Sequence, residues 1–171
     1  MGAPVEPETL AERWRIRPAR PADRQFILAL APRLSSGFPL PSWRTTAEVT
    51  RAEQLTLAAA LVAPPDGSAL LVAEDGEGRA AGFVYLQSLT DYFEQASHAH
   101  VSVLAVSAEA EGRGVGRVLL EEAERWARER GSRFITLNVF EQNVRARGIY
   151  ERQGYVPETL RYVKPLAGRQ E

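Results

Sequence analysis

An α/β fold, with a mixed sheet covered by helices, follows from the order of two kinds of pattern in this chain. Residues 69–89 read as a β-hairpin around the turn Asp75-Gly76-Glu77-Gly78, whereas from His98 onward strand-like runs alternate with amphipathic helical segments. Hairpins make antiparallel pairs and helical crossovers make parallel ones, so one sheet holds both. At 171 residues, 44% of them hydrophobic, the chain is large enough for one real core. Residues 1–12, rich in Pro and Glu, read as a flexible leader, and 13–168 as a single domain.

Each element has a local cause. Trp14 to Arg17 reads as a short strand ended by Pro18. Pro21-Ala22-Asp23 opens a helix reaching about Leu34, and the prolines of residues 35–44 stop it by removing donors. Thr46 is placed to cap the next helix, Ala47 to Val62, which ends at Pro64-Pro65-Asp66-Gly67. Ala69 to Glu74 and Arg79 to Leu89 are strands; residues 91–97 connect them to a strand over His98 to Val106. Strict alternation along that strand puts His98, His100, Ser102 and Leu104 on one face. Gly114 to Arg130 carries Val115, Val118, Leu119, Ala123, Trp126 and Ala127 at helical spacing, with Glu121–Arg125 and Glu124–Arg128 as i, i+4 pairs. Gly131 closes this helix in a left-handed cap. A strand over Phe134 to Val139, a helix over Asn143 to Gln153 and strand material at Tyr155-Val156 and Leu160 to Lys164 complete the chain.

Composition excludes several functions. A formal net charge of −1 supplies no global field to draw nucleic acid or an anionic membrane. The absence of cysteine rules out disulfides, thiolate metal sites and a cysteine nucleophile. No apolar run approaches the ~18–20 residues of a membrane span, and the first residues lack a signal-peptide layout, so a cytoplasmic location is expected. All basic residues except Lys164 are arginines; Arg suits bidentate phosphate recognition, although a GC-rich coding sequence gives the same bias.

The chemistry concentrates in residues 103–155. The strand run Val103-Leu104-Ala105-Val106 is followed by Glu111-Gly112-Arg113-Gly114-Val115-Gly116 and then the amphipathic helix. A glycine-rich turn at a helix N-terminus presents unpaired N–H groups and the positive end of the helix dipole, which suits a diphosphate. A dinucleotide fingerprint fails on register, since its third glycine would fall on Arg117, and no Gly-Lys-Ser/Thr follows to make a P-loop. Further on, Asn143, Ala146, Arg147 and Tyr150 lie at i, i+3, i+4 and i+7 on one helical face, ahead of Gly154-Tyr155.

Together these segments resemble the GNAT superfamily of N-acetyltransferases, whose motifs Arg/Gln-x-x-Gly-x-Gly/Ala and Asn-x-x-Ala-x-x-x-Tyr-x-x-x-Gly-Phe/Tyr fall on Glu111 to Gly116 and on Asn143 to Tyr155. The resemblance covers about residues 70–165 and implies a mixed, mostly antiparallel twisted sheet of six to seven strands flanked by about four helices. It implies acetyl-CoA as acyl donor and no metal. Leu104, Ala105 and Val106 would offer backbone groups to the pantetheine arm, Glu111 to Arg117 (with Gly112, Arg113, Gly114, Val115 and Gly116) would hold the diphosphate, and Asn138, Asn143, Ala146 and Tyr150 would line the cofactor. Glu111 departs from the family pattern, placing a carboxylate where a cation or amide is usual. It is expected to turn to solvent, leaving Arg113 and Arg117 to supply charge. Asn143 either bonds the cofactor arm or caps its helix; Gly148, in mid-helix, has no firm explanation.

Tyr150, as a phenol, can protonate the leaving thiolate, or it is a core tyrosine. On the acceptor side His98 and His100 form either a proton-accepting pair or ordinary edge residues, with no third ligand to make them a metal site. Glu94 and Asp91 are further candidates for the base. Tyr85 and Asn138 are placed to orient the acceptor, and Phe38 and Trp43 to wall its pocket. The acceptor is a small-molecule amine or a peptide or protein amine, and a homodimer is compatible with the resemblance. A non-catalytic acyl-CoA-binding module, favoured by Glu111, and a purely structural domain are the competing classes.

Overall fold

The computed structural model describes residues 13–166; the expected leader lies outside the described residues. The described residues form one five-stranded sheet in the order β1 (Arg15–Pro18), β2 (Ser68–Glu74), β3 (Ala80–Thr90), β4 (Ser97–Val106) and β5 (Ile135–Leu137). All neighbours are antiparallel except β4 and β5, which are parallel. Four α-helices accompany it: α1 (Arg24–Leu30), α2 (Thr46–Val62), α3 (Val115–Glu129) and α4 (Val144–Arg152). Among the described residues no helix is long and apolar enough to cross a membrane.

Two apolar clusters fix the layers. Val115, Leu119, Ala123 and Trp126 of α3 pack with Leu71, Val84, Leu86, Ala99 and Val101 on one face of the sheet. Ile27 and Leu30 of α1 and Leu57 of α2 pack with Val72, Phe83, Tyr85, Val103 and Ala105 on the other. The helical residues predicted to face the core from α3 are all buried, joined by Leu120. Gly82 permits the close approach of α3: a Cβ there would stand 2.8 Å from the Ala105 carbonyl and 3.0 Å from Val115 Cγ1.

Several expectations are corrected. The sheet has five strands rather than six to seven, because residues 155–166 pair with nothing. Strand-like composition is not sufficient without a partner edge, and Val156, Leu160 and Tyr162 stay exposed. β5 is three residues long, shorter than the run 134–139. The first predicted helix divides into a 3-10 turn (Pro21–Asp23), α1 and a second 3-10 turn (Ala31–Ser35), where Pro32 cannot donate to a continuing α-helix. Thr45, not Thr46, caps α2, in a reciprocal capping box with Glu48. On α3 the Glu124–Arg128 pair forms, but Glu121 pairs with Arg117 and Arg125 with Glu122 and Glu129.

The largest correction concerns β4. Tyr85 pairs with Val103 and Leu86 with Val101, so Ser102 is the extra residue of a β-bulge. The bulge reverses the alternation. His98 and His100 lie opposite Leu89 and Gln87, on the α1/α2 face, whereas Leu104, opposite Val84, and Val106 lie against the α3 cluster.

Candidate active site

The β4–β5 ladder ends at Val101 and Leu137. Residues 102–106 of β4 therefore keep β3 on one side and no strand on the other. The Ser107 amide donates to the Ala81 carbonyl at 2.8 Å, which makes 107 and 81 a hydrogen-bonded pair. By antiparallel alternation the peptide groups of Val106 and Leu104 then point away from β3, into the open edge. Parallel strands that separate in this way leave a slot lined by backbone donors and acceptors.

The slot leads to the turn before α3. Gly112 (φ +73°) and Gly114 (φ +83°) adopt the left-handed conformation that other residues resist. Gly114 is the N-cap of α3 and no side chain caps that helix. Its first-turn amides, from Val115 to Arg117, have no partner within the helix, so they face outward at the positive end of a 15-residue dipole. A Cβ at Gly116 would make only ordinary contacts, 3.8 Å from Val106 and 4.0 Å from Leu104. Packing within the protein does not require glycine there, and the absent side chain leaves room above the slot.

The charged residues around the turn differ from expectation. Glu111 does not turn to solvent: its Oε1 accepts from Arg33 and from Arg145, each at 3.0 Å. Arg33 also donates from Nε to the Val106 carbonyl at 2.9 Å, at the mouth of the slot. Arg113 stacks over Trp14, 5.1 Å from the ring centroid, while its own carbonyl accepts from Trp14 Nε1. Arg117 is engaged with Glu121. The cations nearest Glu111 are therefore Arg33 and Arg145, not Arg113 and Arg117. Sequence reasoning missed both, and for Arg33 no local signal exists: it meets Val106 across 73 positions of chain.

On α4, Asn143 Oδ1 accepts from the Ala146 amide at 3.1 Å, which settles its capping role. Tyr150 is partly buried against the α3 cluster, 6.0 Å from the Tyr155 ring. Burial holds its hydroxyl above the usual phenol range, so it carries its proton at neutral pH. The Tyr155 hydroxyl is buried without a partner and is pushed up to about 12, chiefly by burial. Gly148 would place a Cβ 3.3 Å from the Arg152 guanidinium only, so nothing in the protein explains a glycine there.

Across the sheet, Thr136 of β5 joins the two histidines. Its Oγ1 lies 3.0 Å from His98 Nε2 and 2.7 Å from His100 Nδ1. A hydroxyl carries one proton and two lone pairs, so Thr136 donates to at most one of the two rings, and the tautomers of the histidines set the roles. His100 keeps Nε2 for a further partner. Burial, and then the neighbouring His98, hold the His100 imidazole below its usual pKa, hence neutral at pH 7. His98 is buried beside Phe134, with Nδ1 unpartnered.

The other predicted acceptor residues scatter. Glu94 pairs with Arg133 ahead of β5. Asp91 folds its own turn by accepting from the Phe93 and Glu94 amides. Tyr85, at 2% exposure, belongs to the core and cannot orient an acceptor. Asn138 is exposed just past β5. Phe38 packs 5.7 Å from Phe140, joining the proline-rich loop to the segment after β5, while Trp43 is exposed. Two surface concavities, one lined by Arg15, Glu74 and Gly78 and the other by Arg20, Leu61 and Leu70, contain none of the predicted site residues. No group of three or more metal-ligating side chains occurs among the described residues.

Comparison with known proteins agrees with this geometry. The model of the acetyltransferase (GNAT) family matches residues 34–155. Among solved structures, "Putative acetyl transferase from Pyrococcus furiosus" is 26% identical with a TM-score of 0.71, covering 90% of this chain and 99% of that one. An aminoglycoside N-acetyltransferase in complex with CoA is 18% identical (TM-score 0.67, 90% and 95% covered). Glucosamine-6-phosphate N-acetyltransferase from Arabidopsis thaliana is 16% identical (TM-score 0.61, 91% and 100% covered). No curated protein matches the sequence.

Proposed function

Since the chain belongs to the acetyltransferase (GNAT) family, we propose that it transfers an acetyl group from acetyl-CoA to a primary amine by direct attack. The observation that carries this reading is the unpaired edge of β4 running into the uncapped N-terminus of α3. Leu104 and Val106 present peptide groups that suit the amides of a pantetheine arm, and the first-turn amides from Val115 to Arg117 suit its diphosphate. Asn143 and Ala146 on α4, and Asn138 just past β5, would line the cofactor. No cysteine is available to form an acyl-enzyme, so amine and thioester meet directly. Tyr150 keeps its proton until the tetrahedral intermediate collapses, then donates it to the departing thiolate. His100, neutral and with Nε2 unclaimed, accepts the amine proton; Glu94, held by Arg133, is the weaker candidate.

Thiol release in the presence of acetyl-CoA and a panel of amines tests the reading. Tyr150→Phe is expected to lower kcat by about 10²-fold or more while leaving the Kd for acetyl-CoA within a factor of two or so. An unchanged kcat removes the acid role. Absence of amine-dependent release from the wild type, with acetyl-CoA bound, would point to a binding module instead.

A further inference from the structure

Glu111 is the one residue of the turn that departs from the family pattern, and its surroundings give the departure a purpose. Its carboxylate lies between two guanidinium groups from elements far apart in sequence: Arg33 from the 3-10 turn after α1 and Arg145 from the first turn of α4. Arg33 is anchored at the slot by its bond to the Val106 carbonyl. Both arginines therefore stand where the open edge of β4 meets the amides of the turn. Both retain N–H groups beyond those engaged by Glu111, because a guanidinium carries five. The partners are partly exposed, at 33% for Arg33, 69% for Arg145 and 39% for Glu111, so a ligand can reach them. Glu109 adds a second carboxylate beside this group: bonds from its own amide and the Ser107 hydroxyl, with the charge of Arg33, hold it below the usual carboxylate range. The local balance is thus two cations and two anions, near neutral without ligand.

From this geometry, and resting on the acetyl-CoA reading above, we infer that Arg33 and Arg145 are cofactor-phosphate residues for which the Glu111 carboxylate is an internal place-holder. Planar guanidinium groups bind carboxylate and phosphate through the same paired donors. A diphosphate seated on the turn amides brings its oxygens to the position from which Glu111 would repel them, and the same two arginines can then turn from carboxylate to phosphate. Glu111 keeps them oriented and their charge compensated while the slot is empty, and it lowers cofactor affinity by competing for them. The cofactor's phosphates are the ligand of this pair; the thioester end is not.

Calorimetric titration of the full chain with acetyl-CoA and, separately, with S-acetyl-pantetheine, which lacks the phosphates, tests the inference. Glu111→Gln is expected to tighten acetyl-CoA binding by about 3- to 10-fold, with a steeper salt dependence, and to leave S-acetyl-pantetheine unchanged. Arg145→Gln, at an exposed position, is expected to weaken acetyl-CoA by a similar factor, again without effect on S-acetyl-pantetheine. Unchanged or weaker acetyl-CoA binding by Glu111→Gln overturns the place-holder role, as does an equal change toward both ligands. Failure of the wild type and both variants to bind acetyl-CoA at all overturns the cofactor reading itself, a different outcome from either.

Discussion

His100 shows how much a single backbone irregularity decides. Strict alternation places it on the face of Leu104, but the bulge at Ser102 separates the two, so the imidazole and the slot-lining strand end lie on opposite faces of β4. Bulges beside active sites re-aim side chains in this manner. As His100 is held neutral by burial, its proton-accepting form persists below the ordinary imidazole pKa of about 6.5. With His100 as base, kcat/KM measured against pH is expected to fall only as pH drops through that lowered value, and His100→Ala should remove this acidic limb while Glu94→Gln keeps it. An acidic limb unchanged in His100→Ala excludes it. Asn143 permits a second test: its single cap bond to the Ala146 amide predicts a loss of about 1 kcal/mol in Asn143→Ala, read from denaturant unfolding, with catalysis affected through the placement of α4.

Among the elements, β1 and the turn that follows it are held by an ion cluster in addition to the packing of Ile16 and Ala19 against the two apolar clusters. Arg17 donates through Nη1 and Nη2 to both oxygens of Asp23 at 2.7 and 2.9 Å, and through Nε to Glu74 on the neighbouring strand. All three side chains are at most 10% exposed. The Arg17 bond is the main cause that holds both carboxyls below their usual range. Groups with folded-state pKa values lowered in this way contribute stability above the ordinary carboxylate range, about pH 4. That contribution disappears as pH falls through the lowered values, because the unfolded chain then binds more protons. Arg17→Ala leaves the buried Asp23 carboxylate only the Arg20 amide and the buried Glu74 carboxylate only Arg15, and is expected to cost of order 3 kcal/mol at pH 7, with acid unfolding moved to higher pH. Circular dichroism against pH checks both; an unmoved acid transition would contradict the assignment.

The β2–β3 hairpin, α3 and its buried face were readable from period and turn chemistry, because Asp75-Gly76-Glu77-Gly78 and the 3.6-residue spacing of Val115 to Ala127 act locally. The glycine turn and the Asn143–Tyr155 cluster were readable for the same reason. What the sequence concealed is non-local. The Ser102 bulge depends on how two strands register, and the bond from Thr136 to both histidines depends on a parallel pairing 36 and 38 positions apart. The attachment of Glu111 to Arg33 joins residues 78 apart in number, with no spacing rule to reveal it. The run from Leu160 to Lys164 misled in the opposite direction: its composition suits a strand, but no edge receives it.

For the molecule as a whole, sheet and helices serve one arrangement. The two apolar clusters clamp β3 and β4 from both sides, the short β5 leaves half of β4 unpaired, and α3 begins where that open edge ends. A backbone slot that ends in a turn of outward-facing amides suits the proposed ligand, with its peptide-like arm and diphosphate. Titration of the purified protein with acetyl-CoA, with NAD as a control carrying a diphosphate but no pantetheine arm, tests this most directly. The account predicts saturable binding of acetyl-CoA with one site per chain and none of NAD at the same concentration. Equal binding of both, or of neither, would contradict it.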